Sequence, residues 1–105
     1  MGKKIPHLKW IKAFKAKAEQ HMDIKKIILF GSFARGDTRP WSDIDLVIVS
    51  KDFAGIKKVK RPVRLYDYWT FKYPVEFLCY TPGEFERLGK MITIVREAVR
   101  EGVEI

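Results

Sequence analysis

Asparagine is absent from the sequence, glutamine occurs once, at Gln20, and cysteine once, at Cys79. A lone cysteine excludes an internal disulfide framework and fits a reducing cytoplasm, where Cys79 reads as a small buried hydrophobe. No apolar run approaches the ~20 residues that span a bilayer. The opening MGKKIPHLKW carries lysines without a following apolar stretch or a small-residue cleavage site. Its sixth residue is proline, where a myristoylation signal has Ser or Thr. The expected location is therefore the cytoplasm. Scarce amides beside abundant Lys and Glu match the compositional bias of heat-stable proteins.

Repeats, low-complexity tracts and linkers are also missing, so residues 1–105 read as a single domain. A domain of this length buries a modest core, and a deep cleft for two substrates is hard to build in it. A large second substrate would be held with the help of another chain or a second copy. The net charge of +8 admits two readings, attraction to a polyanion or a solubilised surface. Part of the excess lies at Lys9, Lys12, Lys15 and Lys17, the wet side of an amphipathic helix over residues 6–21 whose dry side is Leu8, Ile11, Phe14 and Ala18.

The periodicity predicts a mixed order of helices and strands. Ile27–Phe30 and Ile44–Ser50 read as buried strands, separated by a loop over 31–42 in which Ser32–Arg35 starts a short helix. Pro62 sits in the first turn of a helix expected to carry Val63, Tyr66 and Trp69 or Thr70 inward. Val75–Tyr80 reads as a third strand. Thr81, Pro82 and Glu84 then form a capping box opening a helix whose apolar stripe runs through Phe85, Leu88, Ile92, Val95 and Val99, with a break at Gly89 and an end at Gly102. Val103 and Ile105 add a short edge strand. The expected class is α+β, a small mixed sheet packed with helices.

The chemistry concentrates in GSFARGDTRPWSDIDLVIV, residues 31–49. Alternation along a strand turns Asp43 and Asp45 to one face and Ile44 to the other, with Cα atoms ~6–7 Å apart. Such a pair holds hard cations such as Mg²⁺ and, without one, repels itself. Gly31 and Ser32 follow the first strand, where glycine lets backbone approach a phosphate and serine offers a hydroxyl and an N–H. Arg35 is placed to fork onto phosphate oxygens. A phosphate cradle beside a carboxylate pair is the minimum equipment for in-line phosphoryl-type transfer. Gly31 and Gly36 have the separation of Walker A glycines, but Asp37 stands where that motif has lysine, and no G-x-G-x-x-G occurs.

Gly31-Ser32, ten intervening residues and Asp43-Ile44-Asp45 resemble the signature of the DNA polymerase β-type nucleotidyltransferase superfamily, and the fuller Gly-Ser-x-Ala-Arg-Gly and Ser-Asp-Ile-Asp-Leu strings are similar to its minimal branch. The resemblance implies a polymerase β palm-like fold and transfer of a nucleoside monophosphate, AMP from ATP, with Mg²⁺. Gly31, Ser32 and Arg35 would grip the phosphates, Asp43 and Asp45 the metal. It also implies a third carboxylate on a later strand, which accepts or orients the attacking hydroxyl's proton and completes the metal-binding set; here it falls on Glu76, where many relatives have Asp. Glu76 lies between Val75 and Phe77 in an apolar run, so it is expected to share one cleft with Asp43 and Asp45. The resemblance further implies a HEPN-domain partner, frequently a ribonuclease toxin, which the enzyme neutralises by AMP transfer.

Two other classes compete with the enzyme: a binding module that neutralises its partner by contact alone, and a basic nucleic-acid-binding protein. Trp41 is expected in core or rim packing rather than stacked on adenine. His7 and His21, remote from the motif and without spaced partners, do not suggest a metal site. Tyr66, Tyr68, Trp69 and Phe71, beside Arg61 and Arg64, read as helix packing or a protein interface before they read as a base-stacking surface.

Overall fold

The structure, a computed structural model, describes residues 5–105. Helix α1 spans Leu8–Glu19 and buries Ile11, Phe14 and Ala18. It leads into β1, Ile24–Phe30, which is followed after one glycine by the single-turn helix α2, Ser32–Arg35. Strand β2 is Ile44–Ser50, α3 is Arg61–Leu65, and β3 is Val75–Tyr80. Helices α4, Pro82–Gly89, and α5, Ile94–Glu101, precede the two-residue strand β4, Val103–Glu104.

The four strands lie in the order β3-β2-β1-β4. β1 is antiparallel to both β2 and β4, and β2 is parallel to β3. β2 runs through the middle, and from Leu46 to Ser50 every residue is buried. This is why its sequence shows a continuous aliphatic run instead of alternation. One sheet face packs Ile27, Leu29, Leu46, Ile48 and Phe77 against Ile11, Phe14 and Ala18 of α1. The other face carries Ile28, Val47 and Val49 under Ala98 of α5. Cys79 is buried among the first group, and burial pushes its thiol pKa up to about 12. Among the described residues, no helix is long and apolar enough to cross a membrane.

The capping box is formed in full: Thr81 Oγ1 accepts from the Glu84 N–H, and the Glu84 carboxylate accepts from the Thr81 N–H. Two expectations are corrected. The expected break at Gly89 is present, with the chain turning over residues 90–93 and restarting at Thr93, whose hydroxyl caps α5, but the apolar stripe does not stay buried across it. Ile92 is thereby left 94% exposed and Val99 half exposed, and it is Val95 and Ala98 that enter the core.

The second correction concerns α3. Val63 points outward, Tyr66 is half exposed with its ring edge-on to Phe77, Thr70 is exposed, and the buried positions are Arg61 and Leu65, while Trp69 packs on the core beside Phe14. The cause is the Arg61 guanidinium. Its Nε donates to the Ile56 carbonyl at 2.8 Å, one terminal nitrogen to the Cys79 carbonyl at 3.1 Å, and both terminal nitrogens to the Glu84 carboxylate. A buried guanidinium needs such partners, and meeting them sets the helix rotation against the simple apolar pattern.

Candidate active site

At Gly31 the chain leaves β1 with φ +74° and ψ −155°, a conformation open essentially to glycine alone. A Cβ there would stand 2.5 Å from Oδ2 of Asp45. The turn and the acidic strand are thus in direct contact, and the missing side chain is what lets them meet. Phe33 and Ala34 are buried and anchor α2, which leaves Arg35 on the outer side and Ser32 half-buried at the first helical position. The first N–H groups of a helix have no acceptor within it. Gly36, at φ +81°, closes the turn with its N–H on the Ser32 carbonyl.

Register brings the next residue in. Asp45 is paired with Phe30 of β1 on one side and with Glu76 of β3 on the other. Paired residues in neighbouring strands project on the same face, so Asp45 and Glu76 are lateral neighbours. The starts of the two acid-bearing strands are tied by the Ile44 N–H, which donates to the Pro74 carbonyl at 3.0 Å. Asp43, exposed, precedes β2. The approach to it is shaped by a turn in which the Arg39 N–H donates to Ser42 Oγ at 2.8 Å and the Ser42 N–H to the Arg39 carbonyl at 2.9 Å. Sequence reasoning passed over Ser42, Arg39 and Pro74 as positioning residues; the serine directly before the first aspartate was the available signal. Trp41 is not in the core: it is 75% exposed, with the Arg39 guanidinium 5.9 Å over its ring.

Charge is concentrated at Asp45. Burial, then Glu76, then Asp43 push its pKa up to about 6, against a smaller opposing pull from Arg35. Arg35 also donates through Nε to Asp37 at 3.3 Å. Two further acids raise the pKa of the half-buried Asp45, a repulsion that a cation would relieve. Among the described residues, no three His, Cys, Asp or Glu side chains converge closely enough to hold a metal by themselves.

Two outcomes are expected here. Gly31→Ala forces a side chain into both the positive-φ backbone and the Asp45 carboxylate. It should lower stability by roughly 1–3 kcal/mol in denaturant titration; an unchanged midpoint would show that the turn relaxes freely. The second outcome follows from Asp45. Its pKa is raised from the ordinary 3.8 to about 6 in the folded chain. Its stabilising contribution is therefore full below pH 3.8 and lost as pH rises through about 6. In chelator, Asp45→Asn should be more stable than the parent at pH 7.5, by about 1 kcal/mol after solvent screening, and no more stable at pH 4. Thermal melts at the two pH values decide it.

The sequence profile of the nucleotidyltransferase domain matches residues 9–101. A candidate protein adenylyltransferase of Methanocaldococcus jannaschii is 33% identical over 82 residues, 78% of this chain and 79% of that protein. A second candidate protein adenylyltransferase of the same organism is 73% identical over a 26-residue segment, 25% of this chain and 26% of that protein. The crystal structure of a candidate nucleotidyltransferase from Sulfolobus solfataricus superposes with a TM-score of 0.57 at 26% identity, covering 99% of this chain and 89% of that one. With that profile spanning nearly the whole chain and the mixed sheet shared with the solved structure, the chain belongs to the nucleotidyltransferase domain family.

Proposed function

We propose that this chain transfers AMP from ATP to a hydroxyl of a partner protein. The observation that supports it most is the contact of the Gly31 backbone with the Asp45 carboxylate, with Glu76 in register beside it. A turn able to approach a phosphate thus abuts the acids able to hold its cation. Gly31 and Ser32 would bind the phosphates and Arg35 would neutralise them. Asp43 and Asp45 would ligate Mg²⁺, with Glu76 as the further acid. The bound cation supplies charge neutralisation at the phosphates and at the leaving group.

In the reaction the acceptor oxygen forms a bond to the α-phosphorus, the bond from that phosphorus to the bridging oxygen of the β-phosphate breaks, and pyrophosphate leaves. The hydroxyl proton passes to Glu76. Positioned proton transfer is worth about 10²–10⁴-fold in rate, so Glu76→Gln should lower turnover within that range and leave ATP affinity nearly unchanged. Single-turnover kinetics with calorimetric titration of ATP measure both. A loss confined to affinity would remove Glu76 from proton transfer.

The acceptor we infer is a HEPN-domain protein, from the resemblance to minimal nucleotidyltransferases, with this chain acting as its antitoxin. The M. jannaschii relative named for protein adenylyltransferase activity supports a protein acceptor. Incubation with α-labelled ATP, Mg²⁺ and the partner should leave label on the partner. Neutralisation of the partner without label would instead support the contact-only binding module.

A further inference from the structure

The outward turn of α3 exposes a surface that the catalytic residues do not use. Residues 58–60, 61–65 and 66–68 are successive helical turns, 3₁₀, α and 3₁₀, and form one continuous run. Val59, Val63 and Tyr66 are spaced i, i+4, i+7 along it, so they share the side away from the buried Arg61 and Leu65. Val59 is 82% exposed, Val63 66% and Tyr66 49%. An apolar stripe at this spacing is the pattern of a helix meant to be covered. Here Arg61 holds the opposite side inward, and among the described residues Val59 and Val63 are left largely exposed.

The stripe has a defined border and a seat. Tyr66 is anchored, its hydroxyl donating to the Val75 carbonyl at 3.3 Å and its ring edge-on to Phe77 at 5.0 Å. Beside Val59 lies a groove of about 290 Å³ lined by Lys58, Pro62, Leu78 and Tyr80, with Lys58 Nζ 5.7 Å from the Tyr80 ring centre. Three exposed lysines, Lys57, Lys58 and Lys60, lie along the start of the run, and Lys58 stands at the groove beside Val59.

We propose that this run is a docking surface for an acidic amphipathic helix of a partner protein. The charge decides the class of occupant. A second copy of a chain of net charge +8 would bring the same lysines against themselves. A nucleic acid would use the cations and stack on rings or guanidinium planes, and it gains little from two aliphatic side chains at the centre. A helix carrying leucines at i, i+4 and i+7 with glutamates beside them satisfies both the valines and the rim. The surface would bind in this way whether or not the chain is catalytic.

The probe is a fluorescein-labelled synthetic helix with leucines at that spacing and glutamates flanking them, compared with the same composition scattered around the helix. Anisotropy titration with the full chain should show the patterned peptide binding at least about tenfold tighter than the scattered one, and more weakly at high salt. Val59→Ser with Val63→Ser should remove that preference without changing the circular dichroism. In amide chemical-shift mapping, perturbations should cluster on residues 57–67. Equal affinity for the two peptides, indifference to the valine substitutions, or shifts elsewhere on the surface would overturn the proposal. So would tighter binding of a single-stranded oligonucleotide at the same residues, or a self-association in ultracentrifugation that the valine substitutions abolish.

Discussion

Asp43→Asn combined with Asp45→Asn is expected to abolish nucleotide transfer while the fold survives. The two side chains would supply the charge that holds the divalent cation, and that cation's stabilisation of the transferring group is worth several kcal/mol. At 1.36 kcal/mol per factor of ten, the loss of turnover should be roughly 10³-fold or more. Stability should not fall. Burial first, and then the neighbouring acids, already push the Asp45 pKa upward, and Asp43 is exposed, so amides remove repulsion and leave no buried ion unpaired. The measurement pairs transfer of label from α-labelled ATP with a thermal melt of the same variant. Transfer that persists at the parental rate would sink the assignment of these aspartates, and with it the two-carboxylate site.

The largest effect on stability should come from Glu84→Ala. Arg61 is only 6% exposed, and its guanidinium lies 2.6 Å and 3.2 Å from the two Glu84 oxygens. Removing the carboxylate leaves a buried cation with carbonyl partners alone, a change that costs about 3–5 kcal/mol in comparable buried pairs. The same substitution deletes one half of the capping box of α4, since Glu84 Oε1 also accepts from the Thr81 N–H. Glu84→Gln should cost less, because an amide keeps one acceptor for Arg61. Acid should act in the same direction. The hydrogen bond from Arg61 leads the forces holding the Glu84 pKa down at about 2, below the ordinary 4.5. Its contribution is present above pH 4.5 and is lost as pH falls toward 2, and Glu84→Gln should flatten the stability profile over that window. Denaturant titration at pH 7 and pH 3 tests both statements. A Glu84→Ala variant within 1 kcal/mol of the parent at pH 7 would show that water or a rearranged side chain replaces the carboxylate.

What the chain's own residues determined locally was legible without coordinates. The central strand announced itself through the unbroken aliphatic run of Leu46 to Val49, because a strand covered on both faces has no reason to alternate. The start of α4 was readable at Thr81, Pro82 and Glu84, since a capping box is closed by residues three apart whatever else the protein does. Gly31 could be singled out as a turn, and Asp43 and Asp45 as a pair, because their spacing lies within one segment.

The tertiary structure decided what depends on distant segments. Nothing near Asp45 in sequence reveals that its carboxylate fills the space where a Gly31 side chain would lie, and although Glu76 was expected in the same cleft, its direct pairing with Asp45 follows from how β2 and β3 register. The rotation of α3 was misread from apolar spacing because the winning interaction is polar and long-range. Arg61 reaches a carbonyl 18 residues away and a carboxylate 23 residues away. Leaving that guanidinium buried without them would cost more than exposing two valines to water. The break between α4 and α5 was legible at Gly89, but the exposure of Ile92 after it was not. Thr93 donates its hydroxyl to the Leu88 carbonyl and caps the next helix, so the local caps outweighed a stripe that ran on through Ile92. Periodicity reports which residues can be buried together, and only the packed fold decides which of them are.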